Sequence, residues 1–167
     1  MREEFWGRPL RCRGLRVKVL KLHSEPVREE WLDAYGHLNE AYYLVPISNA
    51  SWALQDHFGI GVDYFERTGG AIYTVESHLR YLREVRAPAV VEIESMIFDV
   101  DAKRLRFAHV MRVGGEERAT FECVALHYDT RSNRTAPLPD DVQTALKAAR
   151  VVELPGWAGR RVTLEKQ

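Results

Sequence analysis

Residues 31–43 read WLDAYGHLNEAYY, and this stretch decides the fold. A short polar segment that holds Asp33, Gly36 and His37 runs directly into Asn39, where a long amphipathic run starts. A turn followed by a helix cap explains Gly36 and Asn39 through backbone geometry alone. It does not explain Asp33 and His37 equally well, so these two residues are candidates for chemistry.

The amphipathic run predicts the one long helix of the chain, from the N-cap Asn39 to Phe58. Apolar residues recur within it at helical spacing, and Gly59 supplies a C-terminal stop. Pro46 lies inside the run and lacks a backbone donor. We therefore expect either a kink there or a position where packing tolerates the loss.

The residues on both sides of this helix predict β-strands. Upstream, residues 15–19 alternate apolar and basic side chains, which indicates a half-buried strand that begins near Leu15. The alternation slips at Leu20, and Pro26 marks either an edge strand or the end of the strand. Downstream, a helical turn over 62–67 and a glycine pair precede four strands that short turns connect as antiparallel neighbours. These strands are predicted at about 71–83, 89–99, 105–113 and 118–129.

One strand, a long helix and four hairpin-linked strands predict an α+β fold in which a curved antiparallel sheet wraps the central helix. The chain divides into an N-terminal arm over 1–14, a folded domain over 15–135, and a C-terminal part over 136–167 with a helix at about 139–149. Such a sheet has an open edge. Since a second copy commonly covers an open edge, we expect a homodimer or a homotetramer.

Composition narrows the partners and the location. The 24 basic and 24 acidic residues give a formal net charge of +0, so no overall field favours a nucleic acid or an anionic membrane. No stretch has the pattern of a membrane span or a signal peptide. Cys12 and Cys123 are far apart and match no metal-ligand spacing, so we expect no metal, no other cofactor and a reducing, cytoplasmic location.

Together with its helix and strands, the segment DAYGHLNEAYY resembles the hotdog-fold acyl-CoA thioesterases of the 4-hydroxybenzoyl-CoA thioesterase type. The motif of that superfamily has an aspartate three residues before a glycine, then a small residue or a histidine, an asparagine and an aromatic residue. The likeness covers about residues 15–130. The matching positions are Asp33, Gly36, His37, Asn39 and Tyr43.

Four segments resemble one subfamily more closely, the betainyl-CoA thioesterases of carnitine breakdown. They are EEWLDAYGHLNEAYYL, the glycine pair before the second strand, HLRYLREVR and DAKRLRFAHVMR. Glu40 departs from the superfamily pattern, because many members carry a second asparagine there. The resemblance implies hydrolysis of a small acyl-CoA such as betainyl-CoA.

Thioester hydrolysis needs a group that attacks the carbonyl or activates water, and donors that stabilise the resulting oxyanion. Asp33 is the candidate for the first role, as nucleophile or as general base. Free backbone N–H groups at the start of the helix are candidates for the second. Gly36 allows a tight turn, and His37 either orients the thioester or holds the loop. Structural roles compete with these: an Asx turn for Asp33, and a helix cap for Asn39.

The resemblance also implies contacts for the two ends of the substrate. A quaternary ammonium group favours an aromatic enclosure, although aromatic residues on a central helix are more often core residues. His78 and His109, on strands, are more often satisfied sheet residues than ligands. The candidates near the acyl group are Asn39, Trp31 and Tyr43, with Tyr42, Trp52 and Tyr73 as further aromatic residues. The candidates for the phosphates of CoA are Arg80, Arg83, Arg86, Lys103 and Arg104.

Two other functions fit the same fold. A hydratase or dehydratase would need an Asp/His or His/Glu pair at a different spacing, and that motif is not seen. A non-catalytic acyl-CoA-binding or assembly module would keep the groove without depending on Asp33. The expected function is therefore an acyl-CoA thioesterase, and substitution of Asp33 separates it from a binding module.

Overall fold

The computed structural model describes residues 18–162. The predicted arm over 1–14, the predicted strand start near Leu15, and Cys12 lie outside this range. Within it, six strands form one antiparallel sheet in the order β1-β3-β4-β5-β2, and β6 pairs with β5. The strands are β1 Leu20–Pro26, β2 Gly70–Tyr81, β3 Val90–Val100, β4 Arg104–Val113, β5 Glu116–Asp129 and β6 Arg134–Thr135. The helices are α1 Leu44–His57, α2 Val62–Thr68 and α3 Asp140–Ala149.

Within residues 18–162, the first strand begins later than the apolar alternation predicts. Val19 precedes β1, which begins at Leu20 and pairs with β3. A β-bulge between Lys21 and His23 shifts the register against β3, which interrupts the alternation of faces. The predicted end at Pro26 is confirmed, and proline is tolerated there because β1 is an edge strand.

The predicted long helix is divided in two. Asn39 is an N-cap, as predicted, but it caps a 3₁₀ turn over Glu40–Tyr43, and α1 starts only at Leu44. Pro46 therefore lies in the first turn of α1. Backbone N–H groups have no intrahelical acceptor in a first turn, so the missing donor removes no helical hydrogen bond.

The four later strands lie within two residues of their predicted bounds. Gly114 and Gly115 form the tight turn between β4 and β5, and both have positive φ angles, of 58° and 82°. This is the backbone conformation that a two-residue hairpin requires. The sequence did not predict β6, nor a parallel bridge between Ile97 and Arg150.

The sheet curves around α1 and encloses the main core. Ile47, Ala50 and Leu54 lie on the buried face of α1, and they pack against inward-facing residues of β3, β4 and β5 such as Ile93 and Phe121. Complete burial of one such aliphatic side chain stabilises the fold by about 1.5–3 kcal/mol. This packing fixes where α1 begins, and so where the segment before it lies.

One titratable group is enclosed between α1 and the sheet. His109 is fully buried on β4, with Nε2 3.0 Å from Ser51 Oγ and Nδ1 2.9 Å from Ser95 Oγ. Because Ser51 donates its proton to the Ile47 carbonyl, it accepts from Nε2–H, and Ser95 donates to Nδ1. Burial, with a smaller contribution from His23, lowers the pKa of His109 to about 3. His109 is thus a satisfied, neutral sheet residue, as predicted.

The segment after α3 covers the opposite, outer face of the sheet, whereas Val142 and Leu146 of α3 belong to the main core. Val151 and Trp157 are buried there against Phe98, Ala108 and Val110. The Trp157 and Phe98 ring centroids are 5.8 Å apart. Over residues 18–162, no helix has the length and apolarity needed to cross a membrane.

Candidate active site

Residues 33–37 form a tight loop that their own backbone closes. The Asp33 N–H donates to the His37 carbonyl at 2.8 Å, and the Gly36 N–H donates to the Asp33 carbonyl at 3.0 Å. Gly36 has a φ of +73°, which L side chains rarely adopt. Since nothing lies within 4 Å of a Cβ built on it, the backbone angle rather than close packing accounts for glycine here.

The Asp33 carboxylate is oriented by this loop. Its Oδ1 accepts hydrogen bonds from the backbone N–H groups of Tyr35, at 2.8 Å, and His37, at 3.2 Å. Its Oδ2 accepts none from the part of the chain that the structure describes. The side chain is half-buried. An Asx turn and an oriented, reactive carboxylate are therefore compatible roles for Asp33, because each uses a different oxygen.

The segment after β2 holds the loop in place. The Leu38 N–H donates to the Val85 carbonyl at 2.7 Å. His37 Nε2 lies 3.2 Å from Glu84 Oε2, which is an ion-pair distance without hydrogen-bond alignment. Glu84 in turn accepts from Arg86 Nε at 3.2 Å. This contact favours the loop-holding role for His37, and the sequence reasoning missed Glu84 because it lies far from the motif in the chain.

The backbone donors at the start of the helical region are engaged. The Asn39 side chain accepts from the Ala41 N–H at 3.0 Å, and the Asn39 carbonyl accepts from the Tyr42 N–H at 2.9 Å. The structure therefore differs from the expectation of free donors at these two positions. The physical reason is that the 3₁₀ turn and its cap satisfy them locally.

Two of the aromatic candidates are core residues beneath the loop. Trp31 is 5% exposed, with the Arg28 guanidinium 5.1 Å from its ring centroid. Tyr43 is 4% exposed, and its hydroxyl donates to the Arg83 carbonyl at 3.3 Å. Burial raises the pKa of this hydroxyl above its ordinary value. Neither ring face is open to a ligand as fully as those of the exposed residues Tyr42, Trp52 and Tyr73.

Tyr81 is an exposed aromatic residue at this site that the sequence reasoning did not select. Its ring meets Tyr43 edge-on at 5.1 Å, and its hydroxyl donates to the Glu40 carbonyl at 3.2 Å. It is 49% exposed. The stretch HLRYLREVR carried the only available signal, an aromatic residue at the end of a strand between basic residues.

The five basic candidates fall into two groups. Arg80 lies near the end of β2, and Arg83 and Arg86 lie in the segment after it, whose Val85 carbonyl binds the loop. Lys103 and Arg104 lie at the turn between β3 and β4, about 23 Å away along the sheet. Within one chain, the structure does not bring the two groups together.

Most of these basic residues already have acidic partners. Arg83 pairs with Glu116 at 3.5 Å, and Arg86 pairs with Glu84. Arg104 Nε donates to Asp101 at 2.6 Å, and this hydrogen bond contributes most to lowering the Asp101 pKa to about 2. Arg80 has no hydrogen bond or ion pair with any residue in the described range. No group of three or more His, Cys, Asp or Glu side chains within 18–162 could hold a metal ion.

Comparison with known proteins identifies the family. The model of the thioesterase-like superfamily matches residues 27–146, which include the whole loop and most of the sheet. The chain belongs to this superfamily. The predicted hotdog fold and the predicted resemblance to thioesterases are thereby confirmed, and the family supports thioester hydrolase activity.

The names of two curated relatives include the same activity, betainyl-CoA thioesterase. The chain is 40% identical over 144 residues to an L-carnitine dehydrogenase/betainyl-CoA thioesterase of Agrobacterium fabrum, and the match covers 84% of this chain but only 30% of that protein. It is 33% identical over 153 residues to a betainyl-CoA thioesterase of Pseudomonas aeruginosa, where the match covers 88% of this chain and 96% of the relative.

Solved structures agree on the fold. A protein of Pseudomonas putida KT2440, classed as a thioesterase, superposes with a TM-score of 0.76 at 30% identity. The match covers 92% of this chain and 100% of that chain. A Staphylococcus aureus protein solved in complex with CoA superposes with a TM-score of 0.80 at 20% identity, over 90% and 97% of the two chains.

Proposed function

We propose that this protein hydrolyses a small acyl-CoA thioester, with betainyl-CoA as the preferred substrate, to the free acid and CoA. The observation that carries the proposal is the Asp33 carboxylate, whose Oδ1 is held by two backbone N–H groups while Oδ2 has no partner within residues 18–162. The substrate is proposed from the relatives named betainyl-CoA thioesterase.

Either of two routes uses the Asp33 Oδ2. In the first, Oδ2 attacks the thioester carbonyl, the C–S bond breaks, CoA leaves as the thiolate, and water hydrolyses the resulting anhydride. In the second, Oδ2 takes a proton from water while that water attacks the carbonyl, the C–S bond then breaks, and the departing thiolate takes up that proton. Both routes consume one water and release one acid and one CoA. Both need a carboxylate that is oriented and unencumbered at one oxygen.

The proposed contacts for the acyl end are exposed aromatic rings next to the loop. A quaternary ammonium group donates no conventional hydrogen bond, so aromatic faces are favourable partners for its charge. Because Arg28 lies over the Trp31 ring, this cation-binding face is already occupied. Tyr42 and Tyr81 are 38% and 49% exposed, and we assign them this role.

A homodimer formed along β2 belongs to the proposal, with a homotetramer as the larger alternative. β2 ends the strand order, and residues 73–77 are all exposed, with Val75 at 55%. An exposed strand edge of this kind favours pairing with a second copy. A partner chain at β2 is also a source of oxyanion donors, because Asn39 already engages the Ala41 and Tyr42 N–H groups within the single chain.

We propose a cytoplasmic location because Cys123, the cysteine that lies within residues 18–162, is not in a disulfide. Cys123 is a buried free thiol. Burial raises its pKa to about 11, so the thiol is protonated at neutral pH and unreactive.

Release of free thiol from a panel of acyl-CoAs tests the proposal. The panel contains betainyl-CoA and neutral short-chain, aromatic and long-chain thioesters, and the proteins are wild type, Asp33→Asn and the control Asp63→Asn. In Asp33→Asn the side-chain amide oxygen still accepts the two backbone hydrogen bonds, so the loop is kept while the reactive carboxylate is lost. Turnover is expected to fall at least about 100-fold for Asp33→Asn. Asp63 is an exposed acid on α2, and its substitution is expected to leave turnover unchanged.

Each outcome separates one part of the proposal. Preference for betainyl-CoA that Asp33→Asn abolishes supports both activity and substrate. Hydrolysis of other thioesters only would keep the activity and discard the substrate. Binding of CoA without hydrolysis of any thioester by the wild type would replace the enzyme with an acyl-CoA-binding module.

A further inference from the structure

The C-terminal tail crosses the outer face of the sheet towards β2. After Trp157, which packs over Val110 and Phe98, the Gly159 N–H donates to Glu122 Oε2 at 2.7 Å. Glu122 lies on β5, and the next strand in the sheet order is β2. The contact at Gly159 therefore places the tail over β5, one strand from β2, and the charge of Arg160 acts on Arg80 of β2.

Arg80 reaches the same face from β2. In the antiparallel register it pairs directly with Thr120, and Thr120 pairs with Val110. Side chains of directly opposed residues lie on one face of a sheet, about 5 Å apart at Cβ. Since Val110 belongs to the outer cluster beneath Trp157, the side chains of Arg80 and Thr120 also lie on the outer face.

Two arginines meet there without a compensating acid. Neither Arg80 nor Arg160 forms a hydrogen bond or an ion pair with another residue of the described chain. The acid nearest in register, Glu122, is taken by Arg106 Nε at 2.7 Å and by the Gly159 N–H. Burial, and then repulsion by Arg160, lower the pKa of Arg80 below its ordinary value. Two like charges held together in this way are stabilised by a bound anion.

A hydroxyl at the same place is also unpaired. Thr120 is 1% exposed, and its Oγ1 has no hydrogen-bond partner within residues 18–162. Buried hydroxyl groups are normally hydrogen-bonded, because an unpaired one keeps the full cost of leaving water. An oxyanion seated between the two guanidinium groups would accept from this hydroxyl as well.

We propose that Arg80, Arg160 and the Thr120 hydroxyl form a binding site for a phosphate group on the outer face of the sheet. Planar guanidinium groups bind phosphate oxygens in pairs, and a hydroxyl supplies a third donor. The ligand is a phosphate monoester or diphosphate, from CoA or from free phosphate. Assignment to CoA rests on the proposed function, and it is consistent with the position of Arg80 next to the end of β2, where the segment with the Glu84 contact to His37 begins.

Three variants test this site. Arg160→Gln removes one guanidinium from the tail without touching the core, and Thr120→Val removes only the hydroxyl at nearly constant volume. Lys103→Gln is the matched control, because it removes one positive charge at the opposite end of the sheet. Affinities for CoA and for dephospho-CoA, which lacks the 3′-phosphate, are measured by isothermal titration calorimetry. Inorganic phosphate is tested through its stabilisation of each protein against heat.

The expected result is a loss of about tenfold in affinity for Arg160→Gln, with a smaller loss for Thr120→Val and none for Lys103→Gln. Thr120→Val is also expected to unfold at the same or a higher temperature without ligand, which excludes a folding defect. Loss for CoA but not for dephospho-CoA assigns the site to the 3′-phosphate. Equal loss for both assigns it to the diphosphate, and loss for inorganic phosphate alone makes it a separate site.

Two results would overturn the inference. One is wild-type affinity of Arg160→Gln and Thr120→Val for all three probes. The other is an equal loss in Lys103→Gln, which would show only a general charge effect. These experiments measure binding and do not depend on thiol release. They can therefore be interpreted even if the protein does not hydrolyse the thioesters.

Discussion

Acidification should destabilise this protein through His109. The group is fully buried, and its folded-state pKa is about 3, against an ordinary value of 6.5. Between these pH values the unfolded chain binds a proton that the folded protein excludes, so stability is fully present above pH 6.5 and is lost as the pH falls. Across the whole window this difference corresponds to about 5 kcal/mol.

A narrower window gives the practical test. Between about pH 7 and about pH 5, the same linkage predicts a loss of about 2 kcal/mol from His109 alone. Urea unfolding at the two pH values and at one protein concentration measures it. His109→Gln cannot titrate, so its free energy of unfolding should fall by about 2 kcal/mol less than that of the wild type over this range.

The control is His57→Gln, which removes an exposed histidine at the end of α1. It should keep the pH dependence of the wild type. If the wild type and His109→Gln lost equal stability over the same acid range, the assignment of His109 as a neutral group held by Ser51 and Ser95 would be wrong.

Two predictions concern the loop and the proposed dimer. Glu84→Gln removes the charge that faces His37, and we expect kcat to fall about tenfold with little change in KM. The control Glu116→Gln removes a partner of Arg83 but does not contact His37, so it should keep the wild-type kcat. Equal effects of the two substitutions on kcat would show that Glu84 does not position His37. Val75→Asp places a charge on the exposed edge of β2 and should yield a monomer-sized species in sedimentation. Val90→Asp, at a similarly exposed valine, should not; a wild type that sediments only as a monomer would end the dimer proposal.

Signals that reach over a few residues located most of the elements. Asn39 is a cap, Gly59 has a positive φ and ends α1, and Gly114 with Gly115 turns β4 into β5. Each of these conformations depends on the residue itself and its immediate neighbours. The error came where two local solutions compete: the cap serves a 3₁₀ turn first, so α1 starts at Leu44 and Pro46 falls in its first turn.

The candidate site could be predicted only in part. The spacing from Asp33 to His37 predicts the loop, because the hydrogen bonds within these five residues join residues at most four apart. The solvent exposure of the aromatic side chains near the loop could not be predicted from the sequence in the same way. Trp31 and Tyr43 are aromatic residues of the motif, and the packing of Arg28 and of the segment after β2 makes them core residues.

By itself the sequence determined the α+β order of elements and the tight turn at Gly36, since these follow from local backbone preferences and periodicity; the family followed from the resemblance of the segment DAYGHLNEAYY to known thioesterases. Only the tertiary structure decided which distant groups meet. It brings Glu84 to His37, separates Arg80 from Lys103, and lays the tail on the outer face so that Gly159 contacts Glu122. Such contacts depend on the curvature of the sheet and on strand register, and these are set by packing across the whole domain rather than by neighbouring residues.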